Sequence, residues 1–163
     1  MTLPSMLVTD TNIWIDLENG KILSNTFRLP YQFFITDFAV DEFVDPDWIM
    51  LQNLGLQKHG LEPEYITELF LLKQIHSQLS VTDLASLLLA KLLGAGLITG
   101  DRRLNELATA QGLPVHGILW ILDEMLFHHI ITTNQATNAL KEMLAKGARL
   151  PKIECQRRFV IWQ

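Results

Sequence analysis

Residues 80–101 read SVTDLASLLLAKLLGAGLITGD, and this one stretch decides the fold. Ser80 followed three residues later by Asp83 is a helix-opening pattern, in which hydroxyl and carboxylate each satisfy a free backbone N–H. From Asp83 to Leu93 the chain is apolar almost all round, so the helix it predicts is buried on both sides. Gly94-Ala95-Gly96 stops that helix, and Leu97-Ile98-Thr99 follows as a short apolar strand of the kind found inside parallel sheets. The helix descends about 16 Å at roughly 1.5 Å per residue. The return through Gly100 climbs about 13 Å at roughly 3.3 Å per residue. Asp83 and Asp101 therefore finish at nearly the same level, on one edge of a sheet.

The same alternation extends in both directions. Met6-Leu7-Val8-Thr9 is an apolar run ending at Asp10, suited to a buried strand, and Thr11–Leu17 reads as the helix after it. Phe33–Thr36 is a second strand, followed by a helical Asp37–Val44. Asp45-Pro46-Asp47 punctuates before a short helix at Trp48–Leu54. Glu62–Gln78 is a longer helix that tolerates Pro63 in its first turn. Beyond Asp101 come a helix at Arg102–Gln111, a fourth strand at Pro114–His116, and amphipathic helices near Ile118–Phe127 and Asn134–Lys146. Lys152–Gln163 has no decisive pattern. Strands alternating with helices predict an α/β fold, a parallel sheet flanked by helices on both faces.

Length and composition agree with one domain spanning 1–163, carrying an extra helical and basic segment at about 133–163. The hydrophobic fraction of 48% excludes disorder. Lys91 interrupts the most apolar stretch, which is too short to span a bilayer, and no signal-peptide layout is present. The lone Cys155 cannot form an internal disulfide. A cytoplasmic protein with no membrane association is expected. Net charge is -5, but unevenly placed. Residues 1–90 hold four Lys/Arg against twelve Asp/Glu, while residues 91–163 hold nine against six. An acidic half that can hold cations, joined to a basic half that can hold phosphates, fits a metal-dependent nuclease. A basic tail that is merely solvated fits the same counts.

In a parallel sheet, ligands bind beyond the carboxyl ends of the strands. Asp10 directly follows the first strand, Asp101 follows the third after Gly100, and Glu42 lies about one and a half turns into the second helix. With Asp83, four carboxylates converge on one edge. Each alone has a simpler reading, because Asp10 and Asp101 stand where helix caps belong, Asp83 fits a capping box, and Glu42 fits an exposed helix residue. Asp37 and Asp41 are rivals to Glu42, although in an α-helix Asp41 points away from the face shared by Phe38 and Glu42. Together the acids repel one another, and a bound cation is the simplest compensation. A set of oxygen donors with no Cys, and no His at ligand spacing, favours Mg²⁺ or Mn²⁺ over zinc. Such an ion would activate water and stabilise the leaving oxygen in phosphodiester hydrolysis.

The chain resembles the PIN-domain family over nearly its whole length. The resemblance is carried by Val8-Thr9-Asp10-Thr11-Asn12, by Ile35-Thr36 through Asp41-Glu42, by Ser80-Val81-Thr82-Asp83 with Ala90-Lys91, and by Leu97-Ile98-Thr99-Gly100-Asp101 with Leu104. Val115-His116-Gly117 before an apolar helix is similar too. The resemblance implies a Rossmann-like sheet of four or five parallel strands and a Mg²⁺- or Mn²⁺-dependent ribonuclease acting on single-stranded RNA. It further implies kinship with toxins of the virulence-associated protein C type, with an antitoxin protein as partner and a homodimer as the assembly. By position, Asp10, Asp83 and Asp101 would bind metal, Glu42 would complete the cluster, and Asn12 and Thr99 would support the first and last acids. The alternative is a catalytically silent PIN scaffold that binds RNA or protein. Haloacid-dehalogenase-like chemistry is disfavoured, since it needs an aspartate where Asn12 stands.

Arg102 and Arg103 follow Asp101 on the site edge and are candidates for contact with RNA phosphates. His128-His129 is a poor ligand pair, because adjacent helix residues point about 100° apart. His116 reads as a plain strand residue, Trp120 and Phe127 as core or dimer surface, and Lys91 as a snorkelling or paired residue inside the buried helix.

Overall fold

The computed structural model describes residues 5–163, so residues 1–4 of the expected 1–163 unit lie outside the described residues. The strands β1 (Met6–Thr9), β2 (Gln32–Thr36), β3 (Gln57–His59), β4 (Gly96–Ile98) and β5 (Val115–His116) form one sheet in the order β3-β2-β1-β4-β5. Every pairing is parallel. The chain builds outward from β1 to β3, then returns to place β4 on the other side of β1. The reversal falls between β1 and β4, the position at which a parallel sheet opens a crevice at its carboxyl edge.

Alternation along the strands divides the core in two. Leu7, Phe33, Ile35 and Ile98 face α1 (Thr11–Asn19), α2 (Leu23–Thr26) and α3 (Trp48–Leu54), with α7 (Ile118–Phe127), α8 (Thr133–Ala145) and α9 (Lys152–Ile161) on the same side. Val8, Phe34 and Leu97 face α4 (Pro63–Ile75), α5 (Val81–Leu93) and α6 (Arg102–Ala110). On the first face Trp14 is fully buried, stacks on Phe27 with ring centroids 5.0 Å apart, and meets Phe33 edge-on at 5.4 Å. Its indole N–H donates to the Thr9 hydroxyl at 2.6 Å, which ties α1 to the end of β1. Truncating so large a buried ring typically costs about 3–5 kcal/mol.

On the second face α5 lies against β1, β2 and β4 while α4 and α6 pack on it. Leu84 to Ala90 are all buried, in keeping with a helix apolar all round. Ser80 and Asp83 form a reciprocal capping box, and Gly94 ends the helix at φ 62°, a left-handed conformation that costs glycine little. Lys91 is exposed at the last turn rather than enclosed in the helix packing.

Three segments differ from the sequence expectation. The edge strand β3 has no apolar alternation, since Gln57 and Lys58 are exposed; its polarity protects the edge and hides it from a pattern search. Asp37–Val44 is not an α-helix. It is a 3₁₀ turn over Asp37–Glu42, ended where Phe43 turns extended and buries its ring. The undecided C-terminal stretch is α9, which buries Cys155 and Trp162. Arg158 of α9 grips Asp123 of α7 through two hydrogen bonds, at 2.7 and 3.2 Å. That basic residue joins helices together rather than standing free. Among the described residues no helix is long and apolar enough to cross a membrane.

Candidate active site

Asp10 ends β1 and caps α1: its Oδ1 accepts from the Ile13 backbone N–H at 3.1 Å. Its Oδ2 accepts from the Thr99 hydroxyl, just beyond β4, at 2.6 Å. The Thr99 oxygen in turn accepts from the Asp101 backbone N–H at 3.1 Å. Asp101 caps α6 by accepting from Leu104 N–H at 2.9 Å. One hydroxyl therefore links the first and last acids across the β1–β4 junction. Both aspartates act as caps, and capping leaves further lone pairs on each carboxylate for other partners.

Asp10 is only 7% exposed, and burial holds its carboxyl above the ordinary range. The Thr99 and Ile13 hydrogen bonds pull in the opposite direction, while the charge of Asp83 adds to the rise. Asp83 thus lies within Coulombic reach of Asp10 although its own carboxylate accepts from Ser80 N–H at 3.2 Å. Glu42 reaches the same region differently. Its Oε2 accepts from the Thr11 hydroxyl at 2.9 Å, one residue past Asp10. In a 3₁₀ turn residues three apart eclipse, so Glu42 shares its side with the buried Ala39 rather than with Phe38.

A cleft of about 490 Å³ opens at this edge, lined by Asp10, Asn12, Asp16, Asp101, Arg102 and Arg149 among others. Asp16 was not among the expected residues. Its carboxyl is pushed up to about 6, first by burial and then by the Asp10 charge. The spacing of Asn12 and Asp16 carried the signal, because residues four apart share a helix face and the remaining face of α1 is apolar. Arg149 had no local signal: it arrives from the loop after α8. Of the two adjacent arginines, Arg102 lines the cleft and pairs with Glu106 at 2.9 Å. Arg103 sits instead in a depression beside Ile75–Leu79, because successive helix residues diverge.

The four expected acids do not meet at a single point. Among the described residues no three His, Cys, Asp or Glu side chains stand close enough to hold one ion directly. The donor set still suits Mg²⁺ or Mn²⁺, which bind through one or two carboxylates and keep several waters. Burial is the main reason the Asp10 carboxyl is raised, with the Asp83 charge a smaller contribution in the same direction.

A five-stranded parallel sheet with Asp10 and Asp101 at its switch point defines an α/β domain of Rossmann-like type. A family model described as "DUF3368: PIN domain" matches residues 6–162, and the chain belongs to the PIN-domain family, whose members are typically nucleases that use divalent metal ions. No curated protein matches the chain. Among solved structures it is similar to a PilT N-terminus domain protein from the hyperthermophilic archaeon Sulfolobus solfataricus P2, at 16% identity and a TM-score of 0.49, covering 74% of this chain and 93% of that one.

Proposed function

We propose that the chain is a Mg²⁺- or Mn²⁺-dependent endoribonuclease that hydrolyses phosphodiester bonds of single-stranded RNA at the β1–β4 edge. The observation that carries this is the Asp10–Thr99–Asp101 linkage at the mouth of a cleft that also holds Asp16 and Arg149. Asp10 and Asp101 would hold the ion, with Asp83 and Asp16 reaching it through its waters. A bound divalent ion supplies the positive charge needed to activate water and to steady the leaving oxygen. The protein side chains do the rest. Thr99 fixes the rotamer of Asp10, Glu42 steadies Thr11 beside it and orients water, and Arg149 offers a cation to the approaching phosphate. A role as the toxin of a toxin–antitoxin pair requires in addition a small partner protein that binds the chain and stops cleavage.

The test is cleavage of end-labelled single-stranded RNA with Mn²⁺, comparing wild type with Asp10→Asn and Asp101→Asn. Cleavage by wild type alone is expected. Equal cleavage by all three, or by none, removes the proposal.

A further inference from the structure

A second cavity, of about 650 Å³, adjoins the acid cleft and shares Gly100, Asp101, Arg102 and Arg149 with it. Its size is that of a small-ligand pocket. Away from the acids its lining adds aromatic rings, alongside the charged Glu106, Glu154 and Arg158. His116, at the carboxyl end of β5, and Trp120, in the first turn of α7, stack with centroids 4.2 Å apart and planes 14° from parallel. Both rings line the cavity, together with Leu150 and Pro151.

The rings are held in place. Tyr31 packs on Trp120 at 5.6 Å, and its hydroxyl donates to Glu124 on the next turn of α7. Burial and Glu124 push the Tyr31 phenol up, so it remains a neutral donor. Burial also lowers His116, which leaves a neutral imidazole at pH 7 and a flat, uncharged slab with Trp120. Arg158 lines the same cavity but is neutralised by Asp123 and Glu154. Arg149 makes no ion pair among the described residues and stands where the two cavities meet. A free cation at the junction, carboxylates on one side and fixed aromatic rings on the other match the parts of one nucleotide: phosphate in the cleft, base against the rings.

We infer that the His116–Trp120 pocket is a nucleobase subsite, which seats the base of a nucleotide next to the phosphate held at the acid cleft. This rests on the nuclease reading for the role of the cleft, and it adds where the substrate's base is read. Stacking accepts any base but grips purines more strongly, so the pocket would bias the cut toward phosphates flanked by a purine. Preset rings avoid the ordering cost that a mobile aromatic would bring to binding.

The test uses ligands with no phosphodiester to cut: 5′-AMP, and ribose 5-phosphate as the same molecule without its base. They are titrated into the full chain with Mg²⁺, and the His116 imidazole signals are followed by NMR. AMP should shift those signals and bind at least about tenfold more tightly than ribose 5-phosphate. Trp120→Leu should weaken AMP by about 5- to 150-fold, the span measured for loss of one base–aromatic stack, and leave ribose 5-phosphate within twofold. Trp120→Phe should retain most of the AMP affinity. Arg149→Ala should weaken both ligands alike. Should Trp120→Leu fail to fold by circular dichroism, His116→Ala reads out the same base-dependent loss by fluorescence. Equal affinity for the two ligands, or AMP binding indifferent to both ring substitutions, overturns the subsite. RNA cleavage that persists alongside either result leaves the nuclease reading standing and removes only the pocket. Base-dependent AMP binding in a chain that cuts no RNA does the reverse.

Discussion

The acids at the β1–β4 junction and the acid beyond β2 are placed by different means. Asp10 and Asp101 are rooted at strand ends, cap the helices that follow, and are joined through one hydroxyl. Their positions are set by the ladder between β1 and β4, in which Asp10 N–H also bonds Ile98 O at 3.1 Å. Glu42 hangs from the end of a 3₁₀ turn, is exposed, and is held by a single contact to Thr11. Two acids joined through one hydroxyl therefore contrast, as a linked pair, with a single exposed arm held by one contact.

The difference can be broken most strongly at the pair. Asp10→Asn or Asp101→Asn should lower RNA cleavage by about 100- to 1,000-fold, the usual loss when one preorganised electrostatic group is removed. Initial rates on labelled RNA in Mn²⁺ give the number. Thr99→Val deletes the linking hydroxyl and keeps both carboxylates. It should raise the Mn²⁺ concentration needed for half-maximal cleavage by about 10- to 100-fold, as loss of a supporting hydrogen bond to a metal ligand does. If Thr99→Val behaves as wild type, the hydroxyl link does not position the pair. Glu42→Gln keeps the acceptor for Thr11 and removes only charge, so its cleavage rate should fall less than that of Asp10→Asn. A loss as deep as that of Asp10→Asn would erase the distinction between pair and arm.

Two smaller effects concern stability. Saturating Mn²⁺ at about 100 times its dissociation constant adds about 2.7 kcal/mol, which raises Tm by about 5–10 °C in a chain of this size. Asp10→Asn should lose most of that rise, as seen by melting with Mn²⁺ and with EDTA. The smallest effect is at Asp16, whose carboxyl takes its proton at about 6 in the folded chain against an ordinary 3.8. Between those values the folded state binds more protons than the unfolded one, so stability falls as pH rises and the penalty is complete above about 6. In EDTA, Asp16→Asn should melt about 1–3 °C above wild type near pH 7.5, with the gain gone by about pH 3.5.

What could be read from the sequence follows the same division. The strand before Asp10, the capping box at Ser80–Asp83 and the strand before Asp101 all announce themselves locally, because buried parallel strands are apolar runs and caps are short-range chemistry. Helix and strand rise predicted a common level for Asp83 and Asp101; in the structure Asp83 acts on Asp10 through its charge but does not line the cleft that Asp101 lines. The edge strand β3 had no such signal, since Gln57 and Lys58 are made polar by the same exposure that protects the edge. The 3₁₀ turn was misread as α-helix because the pull of Phe43 into the core is tertiary. Asp16 was overlooked beside stronger candidates, and Arg149 was illegible because its place depends on α8 packing on α1. The slab of His116 and Trp120 was half legible: a spacing of four on a strand–helix turn hints at contact, but not at a cavity beside it.

The hydroxyl of Thr99 joins two points of the chain separated in order of synthesis by everything from α1 to β4. The cleft is then walled by Gly147 to Arg149, which emerge later still. A growing chain on the ribosome accordingly carries Asp10 long before Asp101 and Arg149 exist to complete the cleft, and long-range strand pairing is the slow step of such folds. The site is therefore a product of tertiary folding alone: a chain cut short before Gly147 would carry Asp10 and Asp101 without the wall that closes the cleft.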